Sequence, residues 1–465
     1  MERSDEGRRS GPGATEGAIA ARGGVRYADR VTRVPELHPM SAISLSDAFP
    51  TPEARTVAST HFVLELARAM HESGTPAHRL EQSLTVVADR LGLTAEFFST
   101  PTSIMVGVGT LIDQRVHLLR VEPGAPNLGK LAQLSDVVRE VVDGTILPDE
   151  GLRRINAIKA QPPRWPTWLV LVAFVLSSAA VACFLRVKLG DVAIASVLGL
   201  VTGLIVLATS ESDTWRPVSE PMAAFLVTTL ALTADVLTRS GTGYATSLAG
   251  LVVLLPGLTF TVALTELSTR HLASGTARLS GALVVFLGIG FGVALGAKLG
   301  TLVGEQLRET LGAGGGAWLS RAALPGWTEW IALLVAPLAF MVLLNAAPRD
   351  AVWIVLACAA AYLTSRFAGA SMGEELGAFL GAFVVSAGSN LAARYFRRSA
   401  MVTQVPGLLI LVPGSIGFRS VTSLLGQQTE VGIATAFRVG IVGISLAAGL
   451  LAGNVVTRAV NARRR

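Results

Sequence analysis

Charged residues are scarce in this sequence: only 15% of its 465 residues are Asp, Glu, Lys or Arg, whereas soluble globular proteins average about 25%. The shortage is not uniform. Residues 1–164 carry 19 Lys/Arg and 20 Asp/Glu, and residues 165–465 carry 20 and 13. This distribution excludes an ordinary soluble enzyme. It predicts a soluble first part followed by a membrane part, and the 48 glycines suit helices that pack closely in lipid.

Cysteine is also rare. Cys183 and Cys358 both lie in apolar runs, which excludes a disulfide framework and a cysteine metal site. The chain has no Lys/Arg stripe with interleaved aromatic residues, so no nucleic-acid partner is predicted. No Ser-His-Asp or paired-carboxylate arrangement indicates an enzyme, and no cofactor is expected. The first 50 residues lack the apolar segment of a secretory signal, so we expect the first membrane helix to direct insertion.

The first third of the chain predicts a disordered tail and a small domain. Residues 1–52 mix Arg, Gly, Ser, Pro and acidic residues without periodicity, which is typical of disorder. Residues 53–162 are predicted to form a soluble, cytoplasmic α+β domain of two amphipathic helices, three strands and two further helices. The expected strands are 94–98, 102–109 and 114–121, and the closing helices are 127–143 and 148–160.

One motif in this domain resembles a nucleotide site. Residues 124–130 match the pattern G-x-x-x-x-G-K. However, Leu131 stands where a P-loop needs Ser or Thr to bind magnesium, and Pro126 removes one of the amides that would hold phosphate. We therefore predict no nucleotide binding and interpret Asn127 as the N-cap of a helix.

The rest of the chain contains ten apolar runs of about 20 residues, the length of a helix that crosses a hydrocarbon core of about 30 Å. They predict an α-helical membrane protein with five spans in residues 163–309 and five in residues 325–460. Lys and Arg are more frequent on the side of the N-terminal domain, so both termini are predicted to be cytoplasmic. The runs are 167–187, 190–209, 220–238, 243–263, 279–301, 328–347, 350–367, 373–393, 402–423 and 433–457.

An internal repeat relates the two groups of five spans. Four sequence features recur in the same order, at offsets between 155 and 162 residues. Because five is odd, the two halves are predicted to have opposite orientations. Such inverted repeats recur in secondary transporters, where the substrate path lies between the halves. The matched positions are Trp165 and Trp327, Asp191 and Asp350, Glu220 and Glu375, and Leu254 and Leu411.

Matching Pro-Gly pairs interrupt spans four and nine. Proline removes a helical donor and glycine loosens the backbone, so each pair predicts a broken helix. A broken membrane helix offers amides to an anion and carbonyls to a cation, which together suit an amino-acid zwitterion. A packing kink is the alternative reading. The residues of these breaks are Pro256, Gly257, Pro413 and Gly414, with the hydroxyls of Thr259 and Ser415 beside them and a further interruption at Pro406-Gly407.

Few ionisable residues lie within or near the spans. An intramembrane carboxylate is costly, so it usually faces the protein interior and often marks a proton or substrate path. Asp235 is the first candidate, although the nearby Arg239 also fits an interface position. The two arginines at matching places entering spans five and ten would suit an anionic substrate. The candidates for the path are Asp235, Asn390, Glu266, Lys298, Arg278 and Arg438.

Several segments resemble the threonine/serine exporter (ThrE) family. Residues 71–81 read HESGTPAHRLE and residues 97–102 read FFSTPT, and both are similar to the N-terminal domain of that family. The membrane part with its two Pro-Gly breaks is similar too, so the resemblance covers residues 55–457. It implies a plasma-membrane exporter of threonine and serine with ten spans, driven by the proton-motive force. Split relatives are associated with succinate export.

Three functions therefore remain open. The first is a secondary exporter of threonine and serine in which Asp235 or Glu266 accepts a proton and the halves rock about the breaks. The second is a dicarboxylate exporter that uses Arg278 and Arg438. The third is a membrane-anchored sensor whose N-terminal domain binds a ligand or a partner, and a membrane-bound enzyme is a weaker fourth. The expected partners are the substrate, protons and the bilayer, and the sequence leaves a homo-oligomer open.

Overall fold

A computed structural model describes residues 51–110, 112–311, 322–396, 398–412, 414–425 and 428–462. Within these ranges the chain is mostly helical, with one small sheet near its N-terminal end. The predicted tail of residues 1–52 lies outside the described residues, except for Thr51 and Pro52. Thr51 caps the first helix, because its side chain accepts a hydrogen bond from the amide of Ala54.

The N-terminal domain, residues 52–159, packs its helices against one face of a three-stranded antiparallel sheet with strand order β1-β2-β3. The other face is exposed. Apolar residues at helical spacing, such as Phe62 and Leu66, and alternate strand residues, such as Ile104, form the fully buried core. The predicted helices and strands are confirmed. Their bounds are α1 Pro52–Glu72, α2 Ala77–Leu91, β1 Ala95–Thr100, β2 Ser103–Val108, β3 Arg115–Arg120, α3 Leu128–Asp143 and α4 Pro148–Lys159.

Helices of the membrane part coincide with the ten apolar runs. We call residues 167–311 the first membrane half and residues 328–462 the second membrane half. The first half contains α5 Thr167–Phe184, α6 Leu189–Thr209, α7 Ser219–Thr238, α8 Gly243–Leu251, α9 Gly257–Ser268 and α10 Leu272–Leu311. The second half contains α11 Thr328–Leu343, α12 Ala351–Met372, α13 Glu374–Phe396, α14 Met401–Leu411, α15 Gly414–Leu425 and α16 Thr429–Ala462.

Up to nine of these segments meet the length and apolarity of a membrane span. Among the described residues, eight segments do so, one of which is α14 and α15 taken together, and α8 and α9 form a ninth span if the pair, bent by 58°, crosses as one. Helix α11 has 16 residues and is shorter. The protein is therefore a multi-pass membrane protein, and the count of ten spans stays a prediction.

Two details differ from the sequence-based expectation. Helix α10 has 40 residues and extends beyond the predicted run 279–301 at both ends. The interruption expected at Pro406 is wrong, because Pro406 lies inside α14 and the helix continues to Leu411. A single proline removes one backbone hydrogen bond, and the packing of the surrounding buried residues keeps the helix intact.

Equivalent helices of the two halves pack in equivalent ways. In the first half α10 lies against α7 and α9, and in the second half α16 lies against α13 and α15. Between the halves, α9 contacts α16, whereas α15 contacts α10. Helix α5 packs along α11, its counterpart. This arrangement brings the two broken segments together.

Candidate functional site

The two helix breaks have the same backbone geometry and touch each other. Leu255 has φ −64° and ψ 125°, and Val412, at the matching position, has φ −64° and ψ 135°. Both are extended residues between helical ones. A β-carbon placed on Gly257 would lie 3.3 Å from the backbone nitrogen of Gly414 and would overlap Val412. Pro413 lies outside the described residues. The point where the two broken helices cross is therefore the first part of the candidate site.

Buried hydroxyl groups surround the first break. Thr202 is fully buried and donates to the carbonyl of Gly250 at 2.8 Å, in the last turn before the break. Thr228 and Ser247, also fully buried, share a hydrogen bond of 2.7 Å between α7 and α8. These hydroxyls place polar contacts inside an apolar bundle. They form the hydrogen bonds that buried carbonyl and hydroxyl groups need and that lipid cannot provide. Sequence reasoning missed them because single hydroxyls inside apolar runs carry no distinctive pattern.

The contact between the breaks requires glycine at position 257. We expect Gly257→Ala to destabilise the protein by about 1–3 kcal/mol, because the added methyl group would separate the crossed helices. Gly281→Ala is the matched control, since no atom lies within 4 Å of its β-carbon position. The melting temperature of each variant in detergent measures this effect. Equal behaviour of the two variants would contradict this role of the crossing.

The second part of the site is a buried carboxylate at the end of α9. Glu266 is fully buried, and its carboxylate accepts three hydrogen bonds. The donors are Arg278 Nε at 3.1 Å, Ser274 Oγ at 2.8 Å and the backbone amide of Ala77 at 2.8 Å. The first two lie in α10, and the third belongs to the N-terminal domain. A carboxylate held by charged and neutral donors in this way is stable despite its burial.

Residues 74–81, here called the docking motif, carry the contacts of the N-terminal domain with this carboxylate. Helix α2 begins at Ala77, so the amide that Glu266 accepts is one of the unpaired amides of a helix N-terminus, where negative charge is favoured. Arg79 donates to the side-chain oxygen of Gln404 in α14. The docking motif therefore contacts both membrane halves.

Glu81 ends the docking motif and forms a second acidic contact. Its carboxylate accepts from the amide of Ser99 at 2.8 Å and lies 3.1 Å from Nε2 of His271, which precedes α10. Burial raises the pKa of Glu81 above its ordinary value, and the Ser99 amide and His271 oppose this change. The negative charge of Glu266 adds to the increase. The two carboxylates and His271 thus belong to one electrostatic cluster.

Helix α3 docks the N-terminal domain onto the second membrane half. The amides of Leu128 and Gly129 donate to the carbonyls of Leu344 and Asn345, at 2.9 and 3.1 Å. The N-terminus of α3 thereby caps the C-terminus of α11, and the dipoles of the two helices are complementary there. Asn127 is the N-cap of α3 and accepts from the amide of Lys130, as predicted from the sequence. The segment of residues 124–130 therefore joins the N-terminal domain to the second membrane half.

His71 is buried beside the docking motif. Its Nε2 donates to the carbonyl of Pro101 at 2.9 Å, and no described residue bonds to its Nδ1. Burial lowers the pKa of His71 below its ordinary value of 6.5, against the hydrogen bond to Pro101. The charge of Arg278 lowers the pKa further, and the charge of Glu266 opposes that change. The folded protein therefore favours neutral His71.

This preference predicts a pH dependence of stability. The stabilisation from neutral His71 is complete above pH 6.5 and is lost as the pH falls through the lowered pKa. One such group contributes at most about 1.4 kcal/mol per pH unit. We expect His71→Gln, which keeps an amide donor for Pro101, to flatten the decline in melting temperature below pH 6.5. His61→Gln on the exposed side of α1 is the control and should keep the wild-type profile.

The other predicted path residues lie in different places. Asp235 accepts from Ser240 Oγ and the amides of Gly241 and Thr242 at 2.7–3.1 Å, so it fixes the loop between α7 and α8. Asn390 donates to Asn454 at 2.7 Å and joins α13 to α16. The remaining four candidates have other surroundings. Lys298 and Thr259 are exposed, Ser415 is half-buried, and Arg438 pairs with Glu374.

Sequence reasoning missed several side chains around Glu266 and the docking motif. His271, Ser274 and Gln404 are ordinary polar residues near span ends, and no local pattern separates them from surface residues. The sequence did contain one signal for these contacts, the docking motif. Its residues were interpreted only as a resemblance to the exporter family. Among the described residues, no group of three or more His, Cys, Asp or Glu could hold a metal ion.

The fold and the two-part site define a multi-pass membrane protein whose N-terminal α+β domain docks on both halves of its membrane part. The chain belongs to the threonine/serine exporter family: its ThrE model matches residues 61–300, and the model described as "Threonine/Serine exporter, ThrE" matches residues 329–456. Both the docking motif and Glu266 lie within the first match.

Among the curated relatives are fungal membrane proteins. The chain is 26% identical over 377 residues to pheromone-regulated membrane protein 10 of Eremothecium gossypii. The match covers 77% of this chain and 48% of the relative. It is 29% identical over 391 residues to the protein of that name in Saccharomyces cerevisiae. That match covers 81% of this chain and 48% of the relative. The chain thus spans about half the length of these relatives. No solved structure matches the chain.

Proposed function

We propose that the protein exports threonine and serine across the plasma membrane in exchange for protons. The observation that carries this proposal is the fully buried carboxylate of Glu266, which joins a broken membrane helix, Arg278 and the docking motif. A single proton on this carboxylate would change contacts in three elements at once. Membership of the exporter family supports the substrate class.

Proton binding at Glu266 would loosen the N-terminal domain from the first membrane half. A neutral carboxyl group attracts Arg278 and the Ala77 amide less than a carboxylate does. The contacts of the domain with the second half, at Leu344 and Gln404, do not involve this carboxylate. The domain would then move with the second half, and the two halves would rock about the crossed breaks.

The crossed breaks suit a zwitterionic substrate. Helices α9 and α15 both begin at the crossing, and a helix N-terminus favours a carboxylate, whereas carbonyls near a break favour an ammonium group. Buried hydroxyls such as Thr202 and Ser247 would lie close to the hydroxyl of a bound threonine or serine. Glu266 is nine residues from Gly257, about 14 Å along α9, so substrate and proton would occupy separate positions on one helix.

Ten spans in two inverted halves agree with this mechanism. Helix α11 is short, but it packs against α5, a span candidate. At one end Trp165 donates to the carbonyl of Ala346 at 3.2 Å, and at the other Arg186 pairs with Glu329. Helix α11 thus covers the same distance as α5, which supports a tenth span. We place both termini in the cytoplasm because of the Lys/Arg distribution.

Ion pairing makes the dicarboxylate alternative less favourable. Arg278 pairs with Glu266, and Arg438 pairs with Glu374. Both arginines of this alternative are therefore neutralised by a carboxylate in this conformation. A zwitterion needs no such uncompensated charge, so the geometry favours an amino acid.

A substrate panel tests the proposed substrate class. The purified full chain, reconstituted in vesicles, would be supplied with labelled threonine, serine or succinate under an imposed pH gradient. We expect threonine and serine to move and to compete with each other, and succinate to remain outside. Movement of succinate without threonine would replace this proposal with dicarboxylate export.

A further inference from the structure

A polar cavity of about 510 Å³ lies where the N-terminal domain meets the second membrane half. Its walls come from the start of α3, from the linker before α5 and from the loop between α11 and α12. Neither part of the transport site lines it. The residues that matter here are Gln133, Gln161, Arg164 and Arg349.

Two arginines give this cavity an uncompensated positive charge. Arg164 and Arg349 are exposed and line the same space, and no carboxylate among the described residues forms an ion pair with either. Asp136 also lines the cavity but pairs with Arg139, and Asp350, next to Arg349 in the chain, pairs with Arg398. Paired guanidinium groups bind phosphate oxygens well because they offer planar, charged donors. The cavity therefore suits a phosphate group.

The surface below the cavity is apolar and exposed. Helix α5 begins three residues after Arg164, and α12 begins two residues after Arg349. Near these helix starts the side chains of Trp168 and Val352 are 64% and 66% exposed. A pair of cations above exposed apolar side chains at the start of membrane helices matches the headgroup and acyl chains of a phospholipid. A soluble phosphate would use the arginines but not the apolar surface.

We propose that this cavity binds the headgroup of an anionic phospholipid. The phosphate lies between Arg164 and Arg349, and the acyl chains follow the exposed faces of α5 and α12 past Trp168 and Val352. Since one wall of the cavity belongs to α3 and the other to the loop before α12, the headgroup fastens the N-terminal domain to the second membrane half. The site is independent of the substrate and of proton coupling.

The test compares lipids on the purified full chain. We expect micelles containing phosphatidylglycerol to raise the wild-type melting temperature by about 2–4 °C above phosphatidylcholine micelles. The double variant Arg164→Gln/Arg349→Gln should lose this difference, and native mass spectrometry should detect about 10-fold less bound phosphatidylglycerol. Arg115→Gln/Arg120→Gln on β3 removes the same charge elsewhere and should behave like wild type.

Two results would overturn the lipid site. One is a phosphatidylglycerol effect that persists in full in the double variant. The other is an equal stabilisation of the wild type by inorganic phosphate in phosphatidylcholine micelles, which would assign the cavity to a soluble phosphate ligand. If the double variant fails to fold, Arg164→Lys/Arg349→Lys replaces it. That variant keeps the charge but loses the planar donors, so we expect an intermediate lipid effect.

Discussion

Glu266→Gln is expected to reduce proton-driven accumulation of threonine to the level of vesicles without protein. The amide keeps the size of the side chain but cannot bind or release a proton at this position. Arg278 would lose its counter-ion, and breaking a buried ion pair costs about 3–5 kcal/mol. Lower stability could therefore be confused with lost coupling, and the experiment must separate the two.

A double variant makes that separation. Glu266→Gln/Arg278→Gln removes both charges, so it should recover much of the stability lost in the single variant. It should still lack proton-driven accumulation, although threonine exchange across the membrane without a gradient should persist. Glu305→Gln, an exposed position on α10, is the matched control. Full proton-driven accumulation by Glu266→Gln would show that another group carries the proton.

Cross-linking the N-terminal domain to both membrane halves at once is expected to stop transport. The domain contacts the first half through Glu81 and His271 and the second half through Ser135 and Ser399, whose hydroxyls are 3.2 Å apart. Because these contacts bridge two bodies that move relative to each other in the proposed mechanism, fixing both would prevent that movement. The variants are Glu81→Cys/His271→Cys and Ser135→Cys/Ser399→Cys, in a chain whose two native cysteines are replaced by serine.

Each cross-link alone supplies the control. The Ser135–Ser399 position should tolerate oxidation, since the domain is expected to move with the second half. The Glu81–His271 position should respond more strongly, because that contact is the one that proton binding is expected to release. Comparing the oxidised and reduced forms of the same variant removes the effect of the substitutions. Undiminished transport with both cross-links formed would exclude movement of the domain between the halves.

Local patterns in the sequence predicted most of the fold. Helical spacing of apolar residues defined α1 and α2, and apolar runs defined the membrane helices, because burial in a core or in lipid leaves a periodic or continuous signal. The Pro-Gly pair at position 256 predicted the bend, because it removes a backbone donor. Pro406 was misinterpreted, since the same residue type is tolerated where neighbouring helices support the chain.

The partners within the site could not be predicted in the same way. Glu266 was a candidate of lower rank than Asp235, since the sequence does not reveal that one carboxylate is buried under the docking motif while the other fixes a loop. The bond between Ala77 and Glu266 joins residues 189 positions apart. Contacts of this kind depend on tertiary packing, which periodicity and spacing do not encode.

Threonine accumulation against its own concentration gradient is the most direct test of the central claim. Vesicles with an acidic lumen and a neutral exterior would be given labelled threonine outside. We predict that threonine rises inside above its external concentration as protons leave, and that a protonophore abolishes this rise. Simple equilibration of threonine, unchanged by the pH gradient, would contradict proton-coupled export.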